Sequence, residues 1–306
     1  MPAQTTIRIA LDWTPNTLHT GLFVAQHKHF YTSANLSVHL QSPDPLYSET
    51  PARQLERGAV DLAVCPSESC IAYAHAGKTP LQAIYAILQR DASAVVSTKL
   101  SRVKELEAGV YGSYAARYED DIVRDMVRAD GGDAAGMRVS GAGEAGKLDL
   151  FAAMRRGQLD ATWVFMPWEG VEAEEAGVPL HVFRLEDYGI PYGYSPVIVR
   201  NAGAAAGLSE EVLRDFVRAT VEGYRYAMEH VEEAVEILRP HCEPRRETAF
   251  LRKSQLAINE FCGNRLGFME EGKWKAWTSW LESRDLLDGV TVDARQLYSN
   301  SFFDEG

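Results

Sequence analysis

One segment occurs twice in this chain, as Leu55-Glu56-Arg57-Gly58-Ala59-Val60-Asp61-Leu62-Ala63-Val64 and again as Met154-Arg155-Arg156-Gly157-Gln158-Leu159-Asp160-Ala161-Thr162-Trp163-Val164. In each copy a glycine stands where a predicted helix ends, a position that favours the left-handed backbone conformation. The aspartate recurs at the same place, and the apolar run that follows it is short enough to be a buried strand. Two matched helix–glycine–strand segments predict a chain built from two similar α/β lobes.

The order of predicted elements alternates between strand and helix, which indicates a mostly parallel sheet flanked by helices in each lobe. The chain is expected to cross to the second lobe around residues 91–98 and to return after Pro196. We therefore predict lobe 1 from residues 1–92 and 197–306 and lobe 2 from residues 93–196. Two crossings of this kind would allow hinge closure over a ligand bound between the lobes.

Composition excludes several classes of protein. The chain has 306 residues, of which 46% are hydrophobic, enough for two domains with a core each. Its net charge is -12 and its Lys and Arg residues form no cluster, so no nucleic-acid partner is expected. No apolar run is long enough to enter a membrane, and no signal peptide is recognised, so a cytoplasmic location is expected unless an export signal has been removed.

The four cysteines, Cys65, Cys70, Cys242 and Cys262, do not have the spacing of a zinc site. Free cysteines are among the most frequently buried residues. We therefore expect four reduced, mostly buried thiols and no bound metal.

Ligands of open α/β sheets bind beyond the carboxyl ends of the strands, so the residues that follow each predicted strand are the candidates for a binding site. Trp13 and Trp168, one from each lobe, could stack on the two faces of a flat heterocycle. Glu169 could anchor an amino group and a ring nitrogen through two hydrogen bonds. The full set of predicted ligand-binding residues is Trp13, Asn16, His19, Ser67, Glu68, Tyr111, Ser113, Trp168, Glu169, Tyr188 and Tyr192.

Several of these residues have an alternative, structural role. Glu169 would also stabilise the first turn of the next helix, where acidic residues are favoured. His19 could be a structural histidine, because its ring donates to a neighbouring oxygen as readily as to a ligand. The turn Gly112-Ser113-Tyr114, after a strand predicted over Gly109–Tyr111, offers backbone amides to a phosphate or carboxylate, or is an ordinary connection.

The C-terminal part of the chain is helical in pattern. A long helix is predicted from Ser209 to Arg239, before Pro240. Trp274, Trp277 and Trp280 follow at three-residue spacing, which favours a helix face packed in the core over an aromatic ligand box.

The chain resembles the thiamine-pyrimidine family, most specifically in Leu11-Asp12-Trp13-Thr14-Pro15-Asn16-Thr17-Leu18-His19-Thr20-Gly21-Leu22-Phe23-Val24-Ala25-Gln26 and in Gly58-Ala59-Val60-Asp61-Leu62. That family includes periplasmic formylaminopyrimidine-binding proteins and fungal hydroxymethylpyrimidine phosphate synthases. The resemblance implies the type II periplasmic-binding-protein fold, which agrees with the two predicted lobes. It also implies a pyrimidine precursor of thiamine as the ligand.

The chain departs from the synthases of this family at the positions that carry their chemistry. The synthases hold pyridoxal phosphate on a lysine and consume a histidine four residues later, and by alignment these positions are Cys65 and Ser69. A Schiff base needs an amine, so Cys65 cannot hold the cofactor in that way. A cysteine-rich stretch associated with iron in the synthases is replaced here by Tyr192-Gly193-Tyr194-Ser195-Pro196.

The leading prediction is therefore a thiamine-related binding protein that closes over an aminopyrimidine or a similar flat heterocycle, without a cofactor. An ABC-type permease is the expected partner if the chain is exported. The alternative is a cytosolic hydroxymethylpyrimidine phosphate synthase-like enzyme with a rearranged site, which would use pyridoxal phosphate. A regulatory or storage binder is a third reading. The sequence assigns no catalytic residues and no oligomeric state.

Overall fold

The computed structural model describes residues 4–44, 47–141, 150–203 and 207–303. By its internal contacts the chain divides into two compact units. Unit 1 contains residues 1–91, 193–282 and 287–306, and unit 2 contains residues 92–192 and 283–286. Each unit is built around one five-stranded sheet.

The helices and strands follow the predicted alternation. The first part of unit 1 contains β1 (Thr5–Ala10), α1 (Thr20–His27), α2 (Phe30–Ser33), β2 (Leu36–Gln41), α3 (Pro51–Glu56), β3 (Leu62–Cys65), α4 (Ser67–His75) and β4 (Leu81–Ala86). Unit 2 contains β5 (Ser93–Ser97), β6 (Val110–Ser113), α5 (Glu119–Ala129), β7 (Arg138–Gly141), α6 (Leu150–Arg155), β8 (Ala161–Phe165), α7 (Val171–Glu175) and β9 (His181–Phe183). The last part of unit 1 contains β10 (Val197–Asn201), α8 (Glu210–Glu229), α9 (Val231–Leu238), α10 (Thr248–Cys262) and α11 (Glu271–Ser283).

The two sheets have the same plan. The strand order is β2-β1-β3-β10-β4 in unit 1 and β7-β6-β8-β5-β9 in unit 2. In unit 1 the strand β10 runs antiparallel to both of its neighbours, and in unit 2 the strand β5 does the same. The remaining strands of each sheet run in one direction. The prediction of mostly parallel sheets is confirmed, with one reversed strand in each.

The repeated segment forms the same structure in both units. Gly58 and Gly157 have φ angles of 73° and 78°, the left-handed conformation that L side chains rarely adopt. The Asp61 carboxylate accepts a hydrogen bond from the backbone N–H of Arg8 on β1 at 2.8 Å, and the Asp160 carboxylate accepts one from Val110 on β6 at 2.8 Å. Each aspartate thus joins the start of its strand to the neighbouring parallel strand.

Each unit has its own apolar core. Unit 1 buries large side chains that include Tyr31, Tyr85, Phe216, Trp274 and Trp277. The Trp274 ring stacks on Tyr298 and the Trp277 ring on Trp280, so the three tryptophans of α11 are core residues, as the helical spacing predicted. The core of unit 2 is formed by Ala94, Val96, Leu150, Phe151, Ala153, Met154, Leu159, Val164 and Ala173.

Two predicted boundaries are wrong. The helix predicted from Ser209 to Arg239 is broken at His230, whose backbone leaves the helical region, and becomes α8 and α9. The strand predicted over Gly109–Tyr111 extends to Ser113, because Gly112 and Ser113 continue the parallel pairing with β7. Among the described helices, none is both long enough and apolar enough to span a bilayer.

Candidate functional site

In unit 1 the candidate residues lie at one edge of the sheet. Asp12, Trp13, Asn16 and His19 follow β1, while Ser67 and Glu68 follow β3 in the first turn of α4. These two strands are parallel neighbours, so the residues after them share the carboxyl edge of the sheet. We call this set, with Tyr47 and Cys65, the unit 1 edge.

Two hydrogen bonds fix the ring of His19 in a fully buried position. Its Nδ1 accepts from the backbone N–H of Asn16 at 3.3 Å, so Nε2 carries the proton and donates to Asp12 Oδ1 at 2.8 Å. The two ring nitrogens are thereby occupied within the chain. This geometry favours the structural role of His19, which orients Asp12 beside Trp13.

Asn16 caps the short 3-10 turn over Thr17–His19. Its Oδ1 accepts from the N–H of Leu18 at 2.9 Å and its Nδ2 donates to the carbonyl oxygen of Thr14 at 3.1 Å. Side-chain capping satisfies backbone groups that a short turn leaves unpaired. Asn16 therefore holds the loop after β1 in place, while its predicted ligand contact remains a prediction.

The sequence reasoning did not select Tyr47. Its hydroxyl donates to the carbonyl oxygen of Asp12 at 2.7 Å, and its half-buried ring lies 6.0 Å from the Trp13 ring, tilted by 49°. Tyr47 follows β2, so the rule that selects residues after strands would have found it. The strand Leu36–Gln41 was not among those predicted from the sequence, although apolar and polar residues alternate along it.

Ser67 and Glu68 are buried at the start of α4. The N–H of Ser67 donates to the carbonyl oxygen of Tyr194 at 3.0 Å, and its hydroxyl donates to Glu68 Oε2 at 3.3 Å. Gly193 packs directly against this turn, since a Cβ there would lie 2.6 Å from both Ser67 Oγ and Trp277 Cδ1. A buried carboxylate thus lies at the unit 1 edge, backed by the tryptophans of α11.

Cys65 ends β3 and is buried beneath this edge. Burial raises the pKa of its thiol to about 12; a hydrogen bond with Ser69 opposes the shift, and the charges of Asp12 and Glu68 add to it. A thiol of this kind stays protonated and is a poor nucleophile. It offers no amine either, so positions 65 and 69 do not fit a lysine-bound pyridoxal phosphate.

In unit 2 the turn after β6 is closed by an acidic side chain. The buried Glu119 accepts hydrogen bonds at Oε1 from the Tyr111 hydroxyl at 2.7 Å and from the Tyr114 N–H at 3.1 Å, and at Oε2 from the Ala116 N–H at 3.0 Å. Ser113 Oγ accepts from the Ala115 N–H at 2.9 Å and donates to Asp120 at 2.6 Å. Of the two alternatives for this turn, the structure favours an ordinary connection, because the amides of Tyr114, Ala115 and Ala116 have partners within the chain.

Burial also explains the electrostatics of this turn. It raises the pKa of the Glu119 carboxyl, an effect that the hydrogen bonds from Tyr111, Ala116 and Tyr114 reduce but do not cancel. Tyr111 lies wholly in the core, where burial and the neighbouring Glu119 carboxylate raise the pKa of its phenol. Tyr111 is therefore placed as a support for Glu119, and its predicted contact with a ligand stays a prediction.

Trp168 and Glu169 lie in a single π-helical turn, Met166–Gly170, between β8 and α7. Glu169 Oε2 accepts from the N–H of Phe165 at 3.0 Å, which is the capping role that the sequence left as an alternative. Burial, and after it the charges of Glu169 and Glu119, raise the pKa of the Tyr114 phenol. The half-buried Trp168 and Glu169 therefore belong to the same edge of unit 2 as the β6 turn.

Tyr188 and Tyr192 are half-buried in the last part of unit 2. Burial and the charges of Asp130 and Asp187 raise the pKa of the Tyr188 phenol. Tyr192 packs on Trp163 of β8 with ring centroids 5.4 Å apart. Trp163 is a half-buried aromatic residue that the sequence reasoning placed only as part of a strand.

The predicted residues therefore form two sets, one in each unit. The stacking of Trp13 and Trp168 on one ligand joins the two units and stays a prediction. All four cysteines are free and buried, as expected. Within the described ranges no three His, Cys, Asp or Glu side chains are arranged to hold a metal ion.

Two sequence relatives extend over almost the whole chain. One is a formylaminopyrimidine-binding protein of Halalkalibacterium halodurans, 23% identical over 300 residues, which are 95% of this chain and 88% of the relative. The other is a 4-amino-5-hydroxymethyl-2-methylpyrimidine phosphate synthase of Legionella pneumophila, 24% identical over 97% of this chain and 92% of the relative. The chain is thus similar both to a binding protein and to an enzyme.

A solved structure shows the fold. The ligand-binding component of an ABC-type import system from Staphylococcus aureus, with zinc bound, superposes with a TM-score of 0.72 at 15% identity and covers 98% of each chain. The predicted two-lobed periplasmic-binding-protein fold is confirmed. The family model described as NMT1/THI5 like matches residues 16–234, a range that includes residues 92–192 of unit 2 and both copies of the repeated segment. The chain is therefore a member of the NMT1/THI5-like family.

Proposed function

We propose that this protein binds an aminopyrimidine of the kind that serves as a thiamine precursor. The observation that carries the proposal is the composition of the unit 1 edge. It combines two carboxylates, Asp12 and Glu68, with the rings of Trp13 and Tyr47. Carboxylates accept hydrogen bonds from an exocyclic amine or a protonated ring nitrogen, and aromatic rings stack on a flat heterocycle.

The relatives support this ligand class. One of them is named for binding formylaminopyrimidine and another for making a hydroxymethylpyrimidine phosphate, and each is similar along almost the whole chain. The two names share an aminopyrimidine, and the unit 1 edge supplies the chemistry that such a ring requires.

Binding without turnover is favoured by the residues after β3. Cys65 and Ser69 stand where the synthases of the family hold their cofactor lysine and their reactive histidine, and the buried Cys65 thiol is kept protonated. Neither side chain supplies the amine that a Schiff base needs. We therefore expect the protein to act without pyridoxal phosphate.

Calorimetric titration of the purified protein tests the proposal. Hydroxymethylpyrimidine and formylaminopyrimidine are the titrants, and pyridoxal phosphate is titrated in parallel. Micromolar or tighter binding of either pyrimidine, with no uptake of pyridoxal phosphate, is the expected result. Failure of both pyrimidines to bind would overturn the proposal.

The Legionella relative supports a second candidate, a synthase-like enzyme with a rearranged site. Stoichiometric uptake of pyridoxal phosphate, seen as a new absorption band of a protein-bound Schiff base that borohydride fixes to a lysine, would establish it. Mass spectrometry of the reduced adduct would then identify the lysine. Absence of the band at saturating cofactor would exclude this route.

The import-system structure supports a transporter as the partner. We expect an ABC-type permease to receive the ligand if cells export the chain, and a storage or regulatory role if they retain it in the cytoplasm. Fractionation of cells that express the protein from its own gene distinguishes the two. Uptake of labelled pyrimidine by deletion strains then tests the exported case.

A further inference from the structure

The carboxylate of Asp12, at the unit 1 edge, is bonded to the chain through one of its two oxygens. Its Oδ1 accepts a hydrogen bond from Nε2 of the buried His19 at 2.8 Å. Among the residues that the structure describes, none forms a hydrogen bond with Oδ2, and 21% of the Asp12 side chain is exposed. The carboxylate therefore keeps one acceptor for a group from outside the chain.

The core of unit 1 fixes the position of His19. In the turn that contains it, the hydroxyls of Thr17 and of Ser254 on α10 form a buried hydrogen bond of 2.6 Å. The Tyr224 hydroxyl of α8 donates to the carbonyl oxygen of Leu18 at 2.9 Å. Both bonds tie the turn to helices of the same unit. His19 is therefore a rigid donor, since a side chain that is locked by packing holds its partner in one geometry.

Asp12 itself is held at two points. Tyr47 donates to its backbone carbonyl oxygen at 2.7 Å, and His19 donates to its carboxylate. The last torsion of an aspartate side chain is soft, so a carboxylate that nothing holds adopts a broad range of orientations. The hydrogen bond from His19 removes that freedom and gives Oδ2 one position at the unit 1 edge.

A carboxylate oxygen held in this way distinguishes an amine from a carbonyl group. It accepts a hydrogen bond from the exocyclic amine of an aminopyrimidine and repels the carbonyl oxygen of the corresponding oxopyrimidine. A carboxylate that is free to turn would instead reach the ring N–H that an oxopyrimidine carries beside its carbonyl group.

We propose that His19 is a positioning residue, which fixes Asp12 Oδ2 as the acceptor for the ligand's amine and makes the protein prefer 4-aminopyrimidines to 4-oxopyrimidines. The inference rests on the proposed function for the class of heterocycle. It concerns side chains of unit 1 alone. Asp12 makes the contact with the ligand, and His19 acts through Asp12.

Two substitutions separate the two hydrogen bonds of His19. The amide nitrogen of a glutamine lies as many bonds from the backbone as Nε2, so His19→Gln can still donate to Asp12. The amide of an asparagine reaches only as far as Nδ1. His19→Asn can therefore still accept from the N–H of Asn16, but it is too short to donate to Asp12.

Titration calorimetry compares 4-amino-5-hydroxymethyl-2-methylpyrimidine with its 4-oxo counterpart in the parent protein and in both variants. The parent should bind the amine at least about 30-fold more tightly, because the carbonyl group leaves Oδ2 facing an acceptor. His19→Asn should lose about tenfold of this preference, and His19→Gln should keep most of it. Thr220→Val is the stability control, since it removes another buried hydrogen bond of unit 1, with the Tyr31 hydroxyl, and should keep the preference of the parent.

The same titrations in an Asp12→Asn background show whether His19 acts through Asp12. There His19→Asn should leave the preference unchanged, because the acceptor that His19 positions is gone. An undiminished effect of His19→Asn in that background would overturn the inference. An unchanged preference in a folded His19→Asn alone would also overturn it.

Nitrogen NMR of the ligand-free protein covers the case in which His19→Asn does not fold. The His19 ring should carry its proton on Nε2, and the Nε2 resonance should move in Asp12→Asn. A ring protonated on Nδ1, or an Nε2 resonance that does not move, would overturn the inference.

The parent protein separates failure of this inference from failure of the proposed function. Equal affinity for the amino and the oxo compound would leave the proposed function intact and overturn the inference alone. Binding of neither compound would overturn the proposed function and the inference with it.

Discussion

The two copies of the repeated segment are alike up to the end of their strands and differ directly afterwards. Both contain a left-handed glycine and an aspartate that accepts a backbone N–H from the neighbouring parallel strand. After the first copy, α4 begins at once and buries Glu68 in its first turn. After the second copy, the π-helical turn Met166–Gly170 leaves Trp168 and Glu169 half-buried.

This difference separates the scaffold from the candidate site. Residues before the strand end make contacts that any two-sheet chain of this plan needs, so they recur. Residues after the strand end lie at the sheet edge where ligands bind, and they are free to diverge. We therefore expect substitutions before the strand end to change stability and substitutions after it to change ligand affinity. The following predictions test this expectation.

The largest effect is expected at the two tryptophans that follow strands. Trp13→Ala or Trp168→Ala should weaken aminopyrimidine binding by about 30- to 100-fold, since each removes both a stacking face and buried apolar area. Titration calorimetry on both variants measures the change. Tyr226→Ala on α8, which removes another half-buried aromatic ring, is the control and should leave affinity unchanged.

An unchanged affinity in Trp168→Ala would show that only unit 1 contributes a stacking face. An equal loss in Tyr226→Ala would mean that the effect reports stability instead of contact with the ligand.

The next largest effect is expected at the glutamates that follow the two copies of the repeated segment. Glu68→Gln should weaken binding by about tenfold, because it removes a buried carboxylate from the unit 1 edge. Glu169→Gln should change affinity less, because Glu169 Oε2 already accepts from the N–H of Phe165. Affinity measured by calorimetry decides between them.

Glu56→Gln is the matched control for these glutamates. Glu56 is a half-buried carboxylate that precedes β3, the strand of the first copy, and it accepts a hydrogen bond from the hydroxyl of Tyr73. A larger loss of affinity in Glu169→Gln than in Glu68→Gln would indicate that Glu169 of unit 2, and not Glu68, is the main polar contact of the ligand.

A smaller effect, on stability alone, is expected at the repeated aspartates. Asp61→Ala should lower the free energy of unfolding by about 1 kcal/mol, since the N–H of Arg8 loses its acceptor. Asp160→Ala should lower the free energy of unfolding by about half as much. Arg8 donates to Asp61 through Nε at 3.0 Å and Nη2 at 2.8 Å, whereas Lys99 Nζ lies 3.4 Å from Asp160 Oδ1. Urea unfolding measures both, and a loss of ligand affinity in either folded variant would break the proposed separation.

The smallest effect is a dependence of stability on pH that comes from Asp61. Burial raises the pKa of its carboxyl, but the hydrogen bonds and charge of Arg8 outweigh burial and lower the pKa below 3.8. Asp61 therefore stabilises the folded state above about pH 4 and loses this contribution as the pH falls through its folded-state pKa. Asp61→Asn should show a flatter acid limb in urea unfolding between pH 5 and pH 3, where an identical limb would contradict the assignment.

Local signals were sufficient to predict the scaffold. The glycine stops, the matched aspartates and the alternation of strand and helix each depend on a few neighbouring residues, and all of them appear in the structure. The tryptophans of α11 were predicted as core for the same reason, since helical spacing alone places them on one face.

The candidate site was harder to predict, because its contacts link residues whose relation depends on how the backbone bends. The turn after β6 looked free of partners in the sequence. Only the left-handed bends at Ala115 and Tyr118 return Glu119 to its amides. Tyr47 was missed because β2, the strand that precedes it, was not predicted from the sequence.

The position of β10 in the sheet also determines the order in which the two units can fold during synthesis. β10 lies between β3 and β4 and pairs with both of them, yet it is synthesised after every strand of unit 2. The strands of unit 2 are contiguous along the chain and can form their sheet as soon as β9 has left the ribosome. Until β10 is synthesised, β3 and β4 in the first half of unit 1 lack the strand that pairs with both of them. Nascent chains halted before Val197 should therefore bind chaperones more than longer nascent chains do.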